Sequence, residues 1–228
     1  MEVVTRLNPT CSGPIHLGHV YMGLLNEHVA KSAGGKFYIR LEDNHPLVIE
    51  RLGDRQERIK TQQIEDFKWL EFEIEDFIFH STTADSVSRR VKDSIGVLWM
   101  EDPIIVPVFS TTTILPFPSV PKLTAEKVLM DYDMGVTHLI RGIDLATEYC
   151  LYAYFCVLLG VPEPKHYYTP RLADSTGDVS KTGGAISVAH YRRMGYTPGD
   201  IKEIVSKASL WNPLNGWEID NLKRNPCL

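Results

Sequence analysis

Residues 3–44, VVTRLNPTCSGPIHLGHVYMGLLNEHVAKSAGGKFYIRLEDN, decide the fold class. Val3-Val4-Thr5-Arg6-Leu7 is rich in β-branched residues and reads as a short strand. A Pro- and Gly-containing turn follows over 8–14. Leu17, Val20, Tyr21, Leu24, Leu25, His28 and Val29 then recur at helical spacing. Gly34-Gly35 is a strong helix stop, and Lys36 to Leu41 reads as the next strand. Strand, helix and strand in this order make a βαβ unit, so the sheet starts parallel.

Outward from this unit the alternation continues. Residues 54–70 read as a helix with Ile59, Ile64, Phe67 and Leu70 on one side, 77–79 as a short strand, and 83–100 as another helix. Between Pro103 and Pro121, five prolines and a Ser-Thr-Thr-Thr run interrupt apolar residues, which predicts edge strands and turns. A helix over 123–133 and a strand over 136–141 follow. Leu145, Tyr149, Tyr152, Cys156 and Leu159 share one face of an amphipathic stretch that Gly160 ends. Residues 166–172 read as a strand, 173–185 as a Gly-rich polar loop, and 187–194, 198–208 and 218–224 as helices. The fold class expected is α/β, a mostly parallel sheet with helices on both faces.

Composition bounds the function. The chain has 228 residues, 43% hydrophobic and 23% charged, with net charge −5. These are ordinary globular values that exclude a fibrous repeat, a disordered chain and a membrane bundle. No secretory signal is visible at the N-terminus. Cys11, Cys150, Cys156 and Cys227 show no C-x2-C spacing, so no structural zinc is expected; they read as free thiols in a reducing cytoplasm. The net charge argues against a surface coated with Lys and Arg but does not exclude RNA, because local patches decide that. Arg51, Arg55, Arg58 and Lys60 form one such cluster, and Arg89, Arg90 and Lys92 another; taken alone, each reads sooner as a solvated helix face than as a binding patch.

The sharpest chemistry lies in Gly13-Pro14-Ile15-His16-Leu17-Gly18-His19, between the first strand and its helix. N–H groups at a helix start carry partial positive charge and suit phosphate. Gly18 leaves room for a flat ring against the backbone. His16 and His19, three apart, can face the same phosphates and donate to an oxygen that gains charge.

Residues 5–44, together with 135–198 (GVTHLIRGIDLATEYCLYAYFCVLLGVPEPKHYYTPRLADSTGDVSKTGGAISVAHYRRMGYTP), resemble the catalytic domain of glutamyl- and glutaminyl-tRNA synthetases of class I. The resemblance covers nearly all of 3–200 and is weakest between 78 and 128. It implies a Rossmann-like domain in three parts: 1–77 as a first half, 78–128 as a shortened insertion, and 129–228 as a second half with a KMSKS-type loop and C-terminal helices. It also implies attack of an amino acid carboxylate on the α-phosphate of ATP, which arrives with Mg2+, and transfer of the acyl group to the acceptor end of tRNA by a monomer without membrane contact. His16, Gly18 and His19 match the first ATP motif. Asp144 stands where an acid often lies near the ribose and base. Ser180 and Lys181 match the second motif, Lys181 meeting the departing pyrophosphate. Arg6, Thr10, Glu42 and Arg141 match positions that hold the amino acid, Arg6 and Arg141 for carboxylates and Glu42 for the ammonium.

Two departures stand out. The loop's first lysine position is Asp178, which repels phosphate; Arg171 and Lys165 are the nearest substitute cations. In Pro121-Lys122-Leu123-Thr124-Ala125-Glu126-Lys127, Leu123 and Lys127 fall where the family carries Tyr and Asn, and Lys127 adds a cation suited to an acidic substrate. No anticodon-binding domain is expected, as in the truncated glutamyl-queuosine tRNA(Asp) synthetases. Three functions stay open: a ligase that charges tRNA, a ligase with a non-tRNA acceptor, and a nucleotide- or RNA-binding paralogue without turnover.

Overall fold

The computed structural model describes residues 2–95, 105–108, 111–114, 119–169, 173–174, 177–178, 186–207 and 223–224. The opening unit forms as its sequence dictates: β1 (Val4–Leu7), α1 (Leu17–Ser32) and β2 (Lys36–Leu41), with β1 and β2 parallel. Then come α2 (Pro46–Leu52), α3 (Arg55–Trp69), β3 (Phe77–Phe79), α4 (His80–Ile95), β4 (Ile105–Val108), β5 (Thr111–Ile114), α5 (Ser119–Asp133) and β6 (His138–Gly142). A 3-10 helix at Ile143–Glu148 leads into α6 (Tyr149–Leu159), β7 (Lys165–Thr169), β8 (Ala173–Asp174), β9 (Gly177–Asp178), α7 (Val188–Arg193), α8 (Pro198–Lys207) and β10 (Lys223–Arg224).

The main sheet has the order β10-β7-β6-β1-β2-β3. All its pairings are parallel except β10 on β7. The chain moves from β1 through β2 to β3 on one side, then returns to place β6 and β7 on the other. That reversal between β1 and β6 opens a crevice beyond the strand C-termini, where open α/β sheets bind ligands.

Strand residues alternate between two cores. Phe37, Ile39, Leu41 and Ile140 join Val20, Leu25, Phe67, Ile201 and Val205 on one face. Val4 and Leu139 join Val87, Val91, Val128, Leu151 and Phe155 on the other. The helices therefore cover both faces of an α/β sheet, as the sequence predicts. Among the described residues no helix is long and apolar enough to cross a membrane.

Several expectations are corrected. Helix α2 is not visible in the apolar periodicity; Pro46 starts it with a preset φ. Helix α5 begins at Ser119 rather than 123, because proline is tolerated in a first helical turn, and α4 (His80–Ile95) begins at 80 rather than 83, while 96–100 lie outside the described residues. The buried side of α3 consists of Gln56, Gln63, Asp66 and Phe67, while Ile59 and Ile64 are half-buried. The stretch 145–159 is a 3-10 turn followed by α6, whose buried residues are Leu151, Tyr152, Phe155 and Cys156; Gly160 ends it at φ 64. Residues 223–224 are strand, not helix. Within segment 78–128, Phe79 pairs with Leu41, and α4 packs on α5 and α6.

Candidate functional site

Helix α1 begins with an imidazole pair. His16 is its N-cap, and the Gly18 N–H donates to His16 Nδ1 at 3.2 Å. The His16 N–H in turn donates to His19 Nδ1 at 3.2 Å. This is a reciprocal capping box built from two histidines. Because each Nδ1 accepts, each neutral ring carries its proton on Nε2. The ring centroids lie 4.0 Å apart, and both residues are half-buried. No acidic residue occupies the first turn of α1, so the helix terminus keeps its positive end. Ser187 bridges His16, and the Val188 N–H donates to the Ile15 carbonyl, so the head of α7 abuts the same place.

Beside it, at the C-terminal ends of β1, β2 and β6, lies a cavity of about 480 Å³. Arg6, Thr10, Glu42, Lys127 and Arg141, five residues singled out from sequence, all line it. The Thr10 hydroxyl donates to Glu42 Oε2 at 2.7 Å, and Lys127 Nζ lies 2.7 Å from Glu42 Oε1. Burial alone would raise the Glu42 carboxyl; the Lys127 ammonium and the Thr10 hydroxyl instead bring it down to about 2. The predicted ammonium site thus already holds an ammonium, that of Lys127. Lys127, singled out from sequence as a cation suited to an acidic substrate, is thus paired with Glu42. Its companion on α5 lining the cavity is Thr124, whereas Leu123 is not among the lining residues. Positions three apart share the cavity face here, where the alignment to the family suggests positions four apart.

Arg141 is 7% exposed, and its Nε has no acceptor among the described residues. Its Nη1 is 3.7 Å from Glu148, and its guanidinium lies 5.0 Å from the Tyr152 ring centroid. Arg6 is different. Its Nε and Nη2 both donate to Asp131, at 2.9 Å each, Arg40 Nη1 lies 2.8 Å from the same carboxylate, and the Tyr152 hydroxyl donates to it at 2.8 Å. Burial would raise the Asp131 carboxyl, but the Arg40 and Arg6 cations hold it well below the usual range. Arg6 therefore lines the cavity as part of a buried network, and only part of its guanidinium is left for a ligand. Asp131 escaped sequence reasoning; it sits in the last turn of α5 with no motif around it.

Asp144 is exposed on the 3-10 turn, its carboxylate folded against Gly142 at the end of β6 and outside the cavity lining. Ser180, Lys181 and Arg171 lie outside the described residues, and Asp178 pairs with Ala173 across β8 and β9. Lys165 is no substitute cation for the loop. It starts β7, at the opposite edge of the sheet from the cavity, about 13 Å along the strand from Thr169.

His166, next to this network, carries a pH dependence. It is 7% exposed, with the rings of Tyr149 and Tyr152 edge-on at 4.9 and 5.0 Å. Burial, aided by the Arg141 and Arg6 cations, pushes it down to about 3; the Glu163 carboxylate 3.8 Å away is 38% exposed and does not outweigh this. The folded value lies below the unfolded one near 6.5, so the unfolded chain binds the proton more readily. Its contribution is complete above pH 6.5 and is lost as pH falls towards 3. Lowering the pH from 7 to 5 is expected to cost about 2 kcal/mol through this ring. Urea unfolding at both pH values checks this. His166→Gln should flatten the dependence; an equally steep loss in the variant assigns it to other groups.

The two halves of the chain, residues 2–97 and 98–213, match the family model of class I tRNA synthetase catalytic domains (E and Q). The chain belongs to this family. It is 25% identical over 224 residues to a protein named glutamate--tRNA ligase 2 from Neorickettsia sennetsu, covering 87% of this chain and 53% of that protein. It is 22% identical over 285 residues to a glutamyl-Q tRNA(Asp) synthetase from Rhodobacter capsulatus, covering 89% of this chain and 99% of that one. A solved glutamate tRNA ligase from Elizabethkingia meningosepticum, in complex with its amino acid, superposes with a TM-score of 0.69 at 16% identity, over 99% of this chain and 63% of that one. The chain thus spans about half the length of the first relative and nearly all of the second. Family and fold agree: this is a Rossmann-like class I synthetase domain, with its cavity at the switch point of the sheet.

Proposed function

We propose that the chain is an ATP-dependent ligase that activates the carboxylate of glutamate or a similar acid as an acyl adenylate and transfers the acyl group to tRNA in the cytoplasm. One observation carries this reading: two imidazoles at a positive helix end stand beside a cavity lined by cationic side chains, at one edge of one sheet. In the proposed step a carboxylate oxygen attacks the α-phosphorus in line, the bond to the bridging oxygen breaks, and its electron pair leaves with pyrophosphate. Positioning and charge stabilisation dominate such a step. His16 and His19 donate to phosphate oxygens, Arg141 and the free part of Arg6 hold the acid, and Asp144 lies near the ribose. Ser180 and Lys181 meet the departing pyrophosphate. Lys181 stands six residues before Ser187, a tether of at most about 20 Å from the His16 bridge. Among the described residues no three His, Cys, Asp or Glu side chains gather to hold an ion, so in this reading Mg2+ comes with the triphosphate.

ATP–pyrophosphate exchange with glutamate, with and without tRNA, tests the proposal. Asp178 favours a second reading, a nucleotide-binding paralogue without turnover. At an effective dielectric near 20, a carboxylate about 6 Å from a phosphate charge costs roughly 3 kcal/mol before screening, and about 1–2 kcal/mol after it. Asp178→Lys is therefore expected to raise exchange about tenfold, less at high salt. Exchange absent from both the protein and this variant, with every acid and with tRNA present, puts the second reading first.

A further inference from the structure

Within the cavity, the carboxylates among the lining residues are Glu42 and Glu148. Both have partners: Glu42 holds Lys127 at 2.7 Å and Glu148 lies 3.7 Å from Arg141. A ligand ammonium entering here finds the buried Glu42 already paired with Lys127, and the other carboxylate, Glu148, 48% exposed beside Arg141. It meets Lys127 instead, which is 24% exposed. The charge inventory points the same way. Arg6, Arg51, Lys127 and Arg141 line the cavity, and Arg40 stands behind it on Asp131. Against these five cations stand Glu42, Glu148 and Asp131, a surplus of two positive charges. Next outward, Lys60 pairs with Asp43 at 3.3 Å and with Glu57 at 3.0 Å. The Arg141 Nε, buried and without an acceptor, is a donor placed for an anion.

We propose that Lys127 sets the substrate class: the cavity takes a glutamate-sized dicarboxylate without an α-ammonium, and Lys127 on Glu42 stands where an amino acid would place its own. The inference rests on the reading of this cavity as the acid-binding site and names which acid fits it. A dicarboxylate supplies the two negative charges that the cavity lacks. A zwitterionic amino acid supplies one net negative charge and sets its ammonium against Lys127, and such like-charge juxtaposition disfavours the wrong ligand strongly. Amino acid binding then requires Lys127 to leave a buried carboxylate, which strips the ion pair that holds Glu42 ionised.

The experiment is calorimetric titration of the whole chain with glutarate and with glutamate, each with and without a non-hydrolysable ATP analogue, repeated on Lys127→Gln. Glutarate is expected to bind the unmodified chain about tenfold or more tighter than glutamate. Lys127→Gln should weaken glutarate and strengthen glutamate, inverting the order. Glutamate binding as tightly as glutarate to the unmodified chain overturns the inference while leaving the acid-binding reading standing. Binding of neither acid in any condition overturns that reading and the inference with it. The comparison on the unmodified chain decides the matter even if Lys127→Gln fails to fold.

Discussion

Asp131→Ala is expected to destabilise the fold by about 3–5 kcal/mol, the largest stability effect of any single replacement proposed for this chain. The carboxylate is 1% exposed and receives Arg6 through two hydrogen bonds, Arg40 through an ion pair and Tyr152 through its hydroxyl. Removing it strands two guanidinium groups, at 5% and 0% exposure, without their counter-ion. The cost is that of uncompensated buried charge, larger than any net gain from the ion pairs themselves. Against a typical total of about 5–15 kcal/mol, this approaches unfolding. Asp131→Asn keeps the shape and one acceptor and should still lose most of that amount, because the charge is the missing element. Urea unfolding monitored by circular dichroism reads both. A loss under about 1 kcal/mol for Asp131→Ala would mean that water reaches the arginines and that the network is not closed.

His16→Ala is expected to lower adenylate formation by about 2–4 kcal/mol of transition-state stabilisation, roughly 30- to 1000-fold, as for the loss of one preorganised donor. The same change removes the N-cap of α1 and should cost about 1 kcal/mol of stability. His16→Ser separates the two effects. Serine caps well, so stability returns, but its hydroxyl is too short to replace the Nε2–H donor, so exchange stays low. Equal exchange in His16→Ser and the unmodified chain would remove the ring from the chemistry and leave it a cap.

The sequence by itself determined what depends on neighbours along the chain. The β-branched strand, the turn and the apolar spacing of α1 give the opening βαβ unit, and Gly160 stops α6 at the position where its positive φ is needed. The two histidines at the head of α1 were legible for the same reason: strand, turn and helix placed them at a helix start before any contact was known. What the sequence left open depends on residues far apart. Asp131 is 125 residues from Arg6 and carries no local signature, so its grip on both arginines exists only once β1, β2 and α5 are packed. Sequence placed Lys127 in the cavity with the right charge, but what that charge meets was decided by the approach of α5 to the end of β2. A helix phase of one residue, about 100°, put Thr124 rather than Leu123 beside it, and Lys127 came to rest 2.7 Å from Glu42. Helical and strand periodicities fix which face a residue takes on its own element. The partner across a packed interface is fixed by tertiary geometry, and buried charge, with nowhere else to go, is where that geometry has most effect.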